Sequence, residues 1–159
     1  MPCMNVKEFL DNQGIDYEII FHRPSDTAQA TASASHIPVA QLAKTVITRV
    51  DGEMHMAVVP ACRRLDLVML KRAARAGSVV LAREAEFRDS FPGCEPGAMP
   101  PFGNLYGLPV WVDEEVAANP EIVFNAGSHT ELVRLAYADF ARLVSPKVLA
   151  LTERPAKAA

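Results

Sequence analysis

Two apolar, β-branched runs at residues 45–50 and 54–59 flank the pair Asp51-Gly52, and this arrangement constrains the chain more than any other feature. A two-residue hairpin turn needs positive φ at both central residues, a geometry that Asp-Gly adopts at low cost. The runs therefore predict adjacent antiparallel strands. A sheet holding such a hairpin is at least partly antiparallel, which favours a mixed α+β sheet over a doubly wound one even though helical and strand segments alternate along the chain.

The remaining elements follow from period and punctuation. Val6, Phe9 and Leu10 fall at i, i+3 and i+4 and predict a first helix that Gly14 stops. Residues 17–21 read as a strand closed by His22-Arg23-Pro24, with Asp26 placed to cap a second helix over 28–35. Leu65, Val68, Met69 and Arg72 predict a helix over 65–76 that Gly77 ends, followed by a short strand at 78–81 and helical turns over 84–91 stopped by Pro92-Gly93. Pro96, Gly97, Pro100, Pro101, Gly103 and Gly107 crowd residues 94–107, a density of breakers that predicts a shaped loop. Strands are expected at 108–112, 121–125 and 131–135, and a last helix at 138–144. The expected architecture is α+β: a single domain over residues 4–152, with a mixed, mostly antiparallel β-sheet and surrounding helices, and a flexible tail at 153–159.

Composition narrows the function. The chain has 159 residues, 50% hydrophobic and 22% charged, which suits a globular domain that buries a core of its own. Its formal net charge of -3 argues against a protein that wraps many phosphates, so nucleic-acid contact is expected to be small and local, and DNA is not an expected partner. There is no apolar run of membrane length and no basic segment followed by an apolar one at the start, so no membrane association and a cytoplasmic location are expected. Cys3, Cys62 and Cys94 fit neither a disulfide framework nor a metal motif and read as reduced thiols. His22, His36, His55 and His129 are scattered, and phosphate-loop, dinucleotide-turn and zinc-protease motifs are missing; no metal and no cofactor are expected.

Three segments can carry chemistry. Lys44 opens an otherwise uncharged run, where it either snorkels to water or holds an ammonium at a pocket mouth for a phosphate or carboxylate. Residues 97–103 are either a stiff surface connection or a loop that offers backbone N–H groups to a carbonyl oxygen gaining negative charge. Gly127-Ser128-His129 is either an ordinary turn or a small platform that presents a hydroxyl and an imidazole. Arg63, Arg64, Lys71, Arg72 and Arg75 form either a local basic patch or a solvated helix face.

Taken in order, Thr27-Ala28-Gln29-Ala30, Leu42-Ala43-Lys44-Thr45, the GxxxP loop from Gly97 to Pro101 with Phe102-Gly103, Val112-Asp113 and Phe124-Asn125-Ala126-Gly127-Ser128-His129 resemble the YbaK/prolyl-tRNA-synthetase-associated editing domain family. The resemblance implies a mixed-sheet domain without metal or nucleotide cofactor, which hydrolyses the ester joining a wrong amino acid to the 3′-terminal adenosine of a tRNA. It places Lys44, Gly97 and His129 in the catalytic centre. It makes Ala98, Met99, Pro100, Pro101, Asn125, Gly127 and Ser128 substrate contacts. The implied substrate is a mischarged tRNA, tRNA for proline carrying Ala, Cys or another small amino acid, gripped at its 3′ acceptor end, with prolyl-tRNA synthetase as a partner. The residues also admit a non-catalytic module that binds 3′-ends beside a synthetase, or a hydrolase of small esters or thioesters. If a ligand approaches the main chain at Gly97, Gly97→Val lowers turnover in a deacylation assay, and unchanged turnover removes Gly97 from the site.

Overall fold

The structure, a computed structural model, describes residues 5–25, 28–91, 94–95 and 98–153. Expectations that fall on Cys3, Asp26, Thr27, Pro92-Gly93, Pro96, Gly97 and the tail beyond residue 153 therefore lie outside the described residues.

The hairpin forms as expected. β2 (Ala43–Val50) and β3 (Glu53–Pro60) pair antiparallel along their whole length, with Asp51 at φ 51° and Gly52 at φ 85°. The Asp51 carboxylate also accepts the N–H groups of Gly77 and Ser78, each at 2.9 Å, so the turn residue anchors the entry to β4 (Val79–Leu81), which pairs antiparallel with the end of β2. On the other side of β3, β5 (Val110–Asp113) adds in parallel, and β8 (Lys147–Leu149) adds parallel to β5. A second sheet has the order β1 (Glu18–Phe21), β7 (Glu131–Ala136), β6 (Glu121–Asn125), all antiparallel. The mixed, mostly antiparallel pairing is thus divided between two sheets, which meet at an isolated parallel bridge between Leu42 and Val123.

Caps and left-handed residues set the helix ends. Asn5 caps α1 (Val6–Asn12) by accepting the N–H of Glu8 at 2.8 Å, and Gly14, at φ 68°, ends it. α2 (Ala28–Ser35) lies over the second sheet, with Ala32 packed against Leu42, Val123 and Leu132. α3 (Leu67–Ala74) starts where Asp66 accepts from Val68 and Met69. It ends earlier than expected, because Arg75 rather than Gly77 takes the left-handed conformation, at φ 53°. The turns over 84–91 resolve into α4 (Glu84–Phe87) and a 3-10 turn at Arg88–Ser90.

Two elements were not expected. Buried Asp113 accepts from Glu115 at 3.1 Å, which starts α5 (Glu114–Ala117), and from Leu151 at 2.8 Å, which docks the chain's last described stretch. α6 (Tyr137–Val144) ends at left-handed Ser145, and the chain turns into β8.

The largest core cluster lies on the face of the sheets opposite α2 and α3, and the proline-rich loop is built into it. Phe102 is wholly buried, with ring centroids 6.0 Å from Phe9 and 5.4 Å from both Phe124 and Phe140. Residues 98–103 are all buried, so this described part of the loop is not a surface connection. Gly103 fits because it has no side chain: a Cβ there would stand 2.4 Å from the Leu108 carbonyl oxygen and 2.6 Å from Val110 Cγ2. Gly103→Ala is expected to destabilise the protein by about 1–3 kcal/mol through overpacking, measured by urea denaturation.

Candidate functional site

The site grows out of the seam between the sheets. Ile20, Leu42, Val123 and Leu132 form one apolar cluster with Ala32, Ile37 and Ala61. Side chains in extended chain return to the same face every second residue. His22 therefore follows Ile20 on this face, Lys44 follows Leu42, Asn125 follows Val123, and Thr130 precedes Leu132. The His22 N–H donates to the Thr130 carbonyl at 2.9 Å, which carries the β1–β7 ladder one pair further and keeps that alternation in register. Because the Leu42–Val123 bridge is parallel, Lys44 and Asn125 both lie two residues beyond it. A polar row thus borders an apolar floor. Above it Thr31 of α2, only 2% exposed, shares a 2.7 Å hydrogen bond with the Ser25 hydroxyl.

Two atoms of this row are buried without a hydrogen-bond partner among the described residues: Asn125 Oδ1 and His22 Nε2. The hydrogen-bond network assigns the imidazole tautomer. His22 Nδ1 is 2.7 Å from the Arg23 carbonyl, which can only accept, so Nδ1 carries the hydrogen and Nε2 presents a lone pair. A buried acceptor left without a donor costs about 1–3 kcal/mol. Two such acceptors on one face mark a place shaped for a ligand's donors or for water.

Lys44 is half-buried and has no hydrogen bond or ion pair among the described residues. Burial lowers its pKa, the nearby Arg64 guanidinium lowers it further, and Cys62 acts in the opposite direction. This is an ammonium with unspent charge, suited to an anion arriving from solution.

The proline-rich loop reaches the row through the main chain. Gly127, at φ 98°, donates to the Ala98 carbonyl at 2.9 Å and accepts from the Glu95 N–H at 2.8 Å, so the residues on either side of Pro96-Gly97 are both clasped to the end of β6. The side chains go elsewhere: Ala98 is 0% exposed, Met99 packs into the main core on the opposite face, and Pro100 and Pro101 are buried. His129 donates its N–H to Glu95 Oε2 at 2.8 Å, with its Nε2 3.9 Å from the same oxygen, and the hydroxyls of Ser128 and Thr130 are 3.2 Å apart. The structure thus gathers Asn125, Gly127, Ser128, His129 and Ala98 at one end of β6 and sets Lys44 at the level of Asn125. It does not gather the five basic residues into one patch. Arg63 is 3.3 Å from Glu115, Arg64 stands beside Lys44, and Lys71, Arg72 and Arg75 are exposed at α3 and its end.

Sequence reading missed His22, Ser25, Thr31, Thr130 and Glu95. The alternation from Ile20 to His22 was available, but its meaning depends on the pairing of β1 with β7. Among the described residues no group of three or more His, Cys, Asp or Glu could hold a metal ion.

A family model for the aminoacyl-tRNA editing domain matches residues 22–143, a span that contains the whole polar row and the loop. The chain belongs to the aminoacyl-tRNA editing domain family. It is accordingly a hydrolase that acts on aminoacyl-tRNA. The multifunctional Ser/Thr-tRNA deacylase ProXp-y of Escherichia coli K12 is 29% identical over 145 residues, 88% of this chain and 86% of that protein. The same deacylase from Escherichia coli O157:H7 matches with the same identity and coverage. The crystal structure of a candidate trans-editing enzyme for prolyl-tRNA synthetase shares the fold, with a TM-score of 0.79 at 24% identity over 91% of this chain and 92% of that one. No helix of the editing domain is long and apolar enough to cross a membrane, among the described residues.

In this editing domain the electrostatics of Lys44 give a signed expectation. Its pKa is lower folded than unfolded, so at neutral pH the charged ammonium opposes folding, and the opposition fades as pH rises toward 10.5, the ordinary lysine value. Lys44→Met is therefore expected to unfold at the same temperature as the parent protein or a higher one at pH 7, with the difference shrinking at high pH. Calorimetry across that range checks it, and a strongly destabilised variant would make Lys44 a structural residue.

Proposed function

We propose that this editing domain acts in trans to remove a small, wrongly attached amino acid from the 3′ end of a tRNA, with tRNA for proline the first candidate. The observation that carries the reading is the unpaired Lys44 ammonium at the level of the unsatisfied Asn125 oxygen, beside the clasp that Gly127 makes on the proline-rich loop. Lys44 serves as a point charge for a phosphate of the terminal nucleotides. Gly97 is the proposed contact for the aminoacyl carbonyl, with Ala98, Met99, Pro100 and Pro101 next to it in the chain. Asn125, Gly127, Ser128 and His129 border the aminoacyl group. The name of the E. coli relative adds Ser and Thr to Ala and Cys as amino acids to be removed.

In the reaction, the oxygen of a water attacks the ester carbonyl carbon, and the negative charge collects on the carbonyl oxygen. The bond to the ribose oxygen then breaks, and that oxygen takes the proton the water gives up. An activated ester needs orientation more than a strong base. Correct positioning replaces roughly 7–11 kcal/mol of barrier, and each well-aimed oxyanion donor supplies roughly 2.7–4 kcal/mol. The terminal ribose hydroxyl can orient the water, which suits a row whose side chains offer acceptors and a cation rather than an activated nucleophile. Ser25 illustrates this: its hydroxyl is 3.4 Å from His22 Nδ1, the nitrogen already committed to the Arg23 carbonyl. A cytoplasmic place of work and association with prolyl-tRNA synthetase belong to this reading, supported by the company its relatives keep.

The deciding assay offers the protein tRNAs charged with Ala, Cys, Ser, Thr and Pro. At least one wrongly charged tRNA is expected to lose its amino acid while correctly charged prolyl-tRNA survives, and Lys44→Ala is expected to cost about 10- to 150-fold, the worth of one hydrogen bond to a charged group. Lys44→Arg should keep part of the rate. Binding without release from any of them would make the protein a 3′-end-binding module instead, and equal activity on small aminoacyl esters lacking RNA would make it a general esterase.

A further inference from the structure

His22 is absorbed by nothing in the reading above, yet it carries one of the row's two buried atoms that lack a partner among the described residues. Its backbone extends the β1–β7 ladder to Thr130, its Nδ1 is held by the Arg23 carbonyl, and its Nε2 is buried with no partner. The ring is therefore fixed in orientation and tautomer, and it belongs to the residue that follows Ile20 on the face where strand alternation also puts Lys44 and Asn125. On that face the neighbouring hydroxyls are already engaged with one another, Ser25 with Thr31 and Ser128 with Thr130. Among the described residues no donor reaches Nε2, which leaves that hydrogen bond for a ligand or water to supply.

We propose that His22 Nε2 is a substrate-binding acceptor that takes a hydrogen bond from an N–H or O–H group of the aminoacyl moiety, with Asn125 Oδ1 as its companion acceptor. The proposal rests on the deacylase reading and assigns it a recognition element. Two acceptors fixed in a partly dry face favour a small aminoacyl group whose donors reach both, and they disfavour one that leaves a lone pair unpaired. Two sources share this chemistry: the α-ammonium common to all primary amino acids, and the side-chain hydroxyl of Ser or Thr.

The test uses the full chain with a non-hydrolysable, amide-linked seryl-adenosine and its alanyl counterpart, and follows the imidazole nitrogens by NMR. The Nε2 resonance of His22 is expected to move on saturation while Nδ1 stays in place. His22→Phe, which keeps a ring and removes the acceptor, should lower kcat/KM by roughly ten- to a hundredfold with the thermal midpoint little changed. His22→Gln, which restores an acceptor oxygen, should recover part of the loss. An equal loss on seryl- and alanyl-tRNA identifies the ammonium as the donor, and a loss confined to seryl- and threonyl-tRNA identifies the hydroxyl. If the analogue binds, seen by shifts elsewhere in the protein, and the His22 Nε2 resonance does not respond, the proposal is overturned while the deacylase reading stands. Full kcat/KM in His22→Phe overturns it equally. If the parent protein neither binds the analogue nor releases any amino acid, the deacylase reading falls and this proposal with it.

Discussion

Leu42 and Val123 form a single parallel bridge, and everything at the site depends on what β2 and β6 do after it. β4 covers only residues 48–50 of the outer edge of β2, so the first residues of that strand face β6 without merging into one sheet with it. β6 pairs fully with β7 on its other side. Two sheets that share one bridge must part, and the parting creates a face that is apolar at the bridge and polar two residues on. The pleat makes this a matter of register: a slip of one residue in either strand would send Lys44 or Asn125 to the opposite face.

That geometry explains why the polar groups stay uncompensated. Lys44 is half-buried near a second cation, and His22 Nε2 and Asn125 Oδ1 are buried without donors. Each arrangement opposes folding, and each runs against the pairing found around it: Lys7 with Glu131, Arg49 with Glu86, and Arg134 with Glu18. Three polar groups left wanting on one face, among the described residues, keep that face ready for a ligand. The loop contributes differently. Met99 and Phe102 anchor it in the main core, while the Gly127 main chain and the Glu95 carboxylate tie it to the end of β6, so its rigidity comes from both faces of the sheet.

Local signals made much of the fold legible. Asp51-Gly52 announced the hairpin because Asp-Gly is one of the few pairs that adopt two positive φ angles at low cost, and the spacing of Val6 and Leu10 announced α1. Where the reading failed, a long-range partner decided. Gly77 looks like a helix stop, but its N–H belongs to Asp51, 26 residues away in sequence, and Arg75 takes the left-handed position. β8 depends on its parallel pairing with β5, and Asp113 holds Leu151 just beyond it, a contact over 38 residues that no periodicity encodes. The candidate site divides in the same way. Lys44 was visible as a charge in an apolar run, and the Asn125 to His129 segment as a small-residue turn after a strand. His22 was visible only as one histidine of four, since its place beside Thr130 exists only once β1 lies against β7.

By itself the amino-acid sequence determined the hairpin, the positions of most strands and helices, the need for a shaped loop, and the presence of a lysine with no local reason to be there. These are properties of neighbours in the chain, set by φ preferences, side-chain period and hydrophobic burial within a few residues. The tertiary structure alone decided that the strands divide into two sheets, that the described part of the loop is buried in the core, and that His22, Lys44 and Asn125 share one face. Those outcomes turn on strand order and register, which arise from closing the core around Phe102 and from satisfying backbone hydrogen bonds between segments far apart, and neither is written in any local stretch of residues.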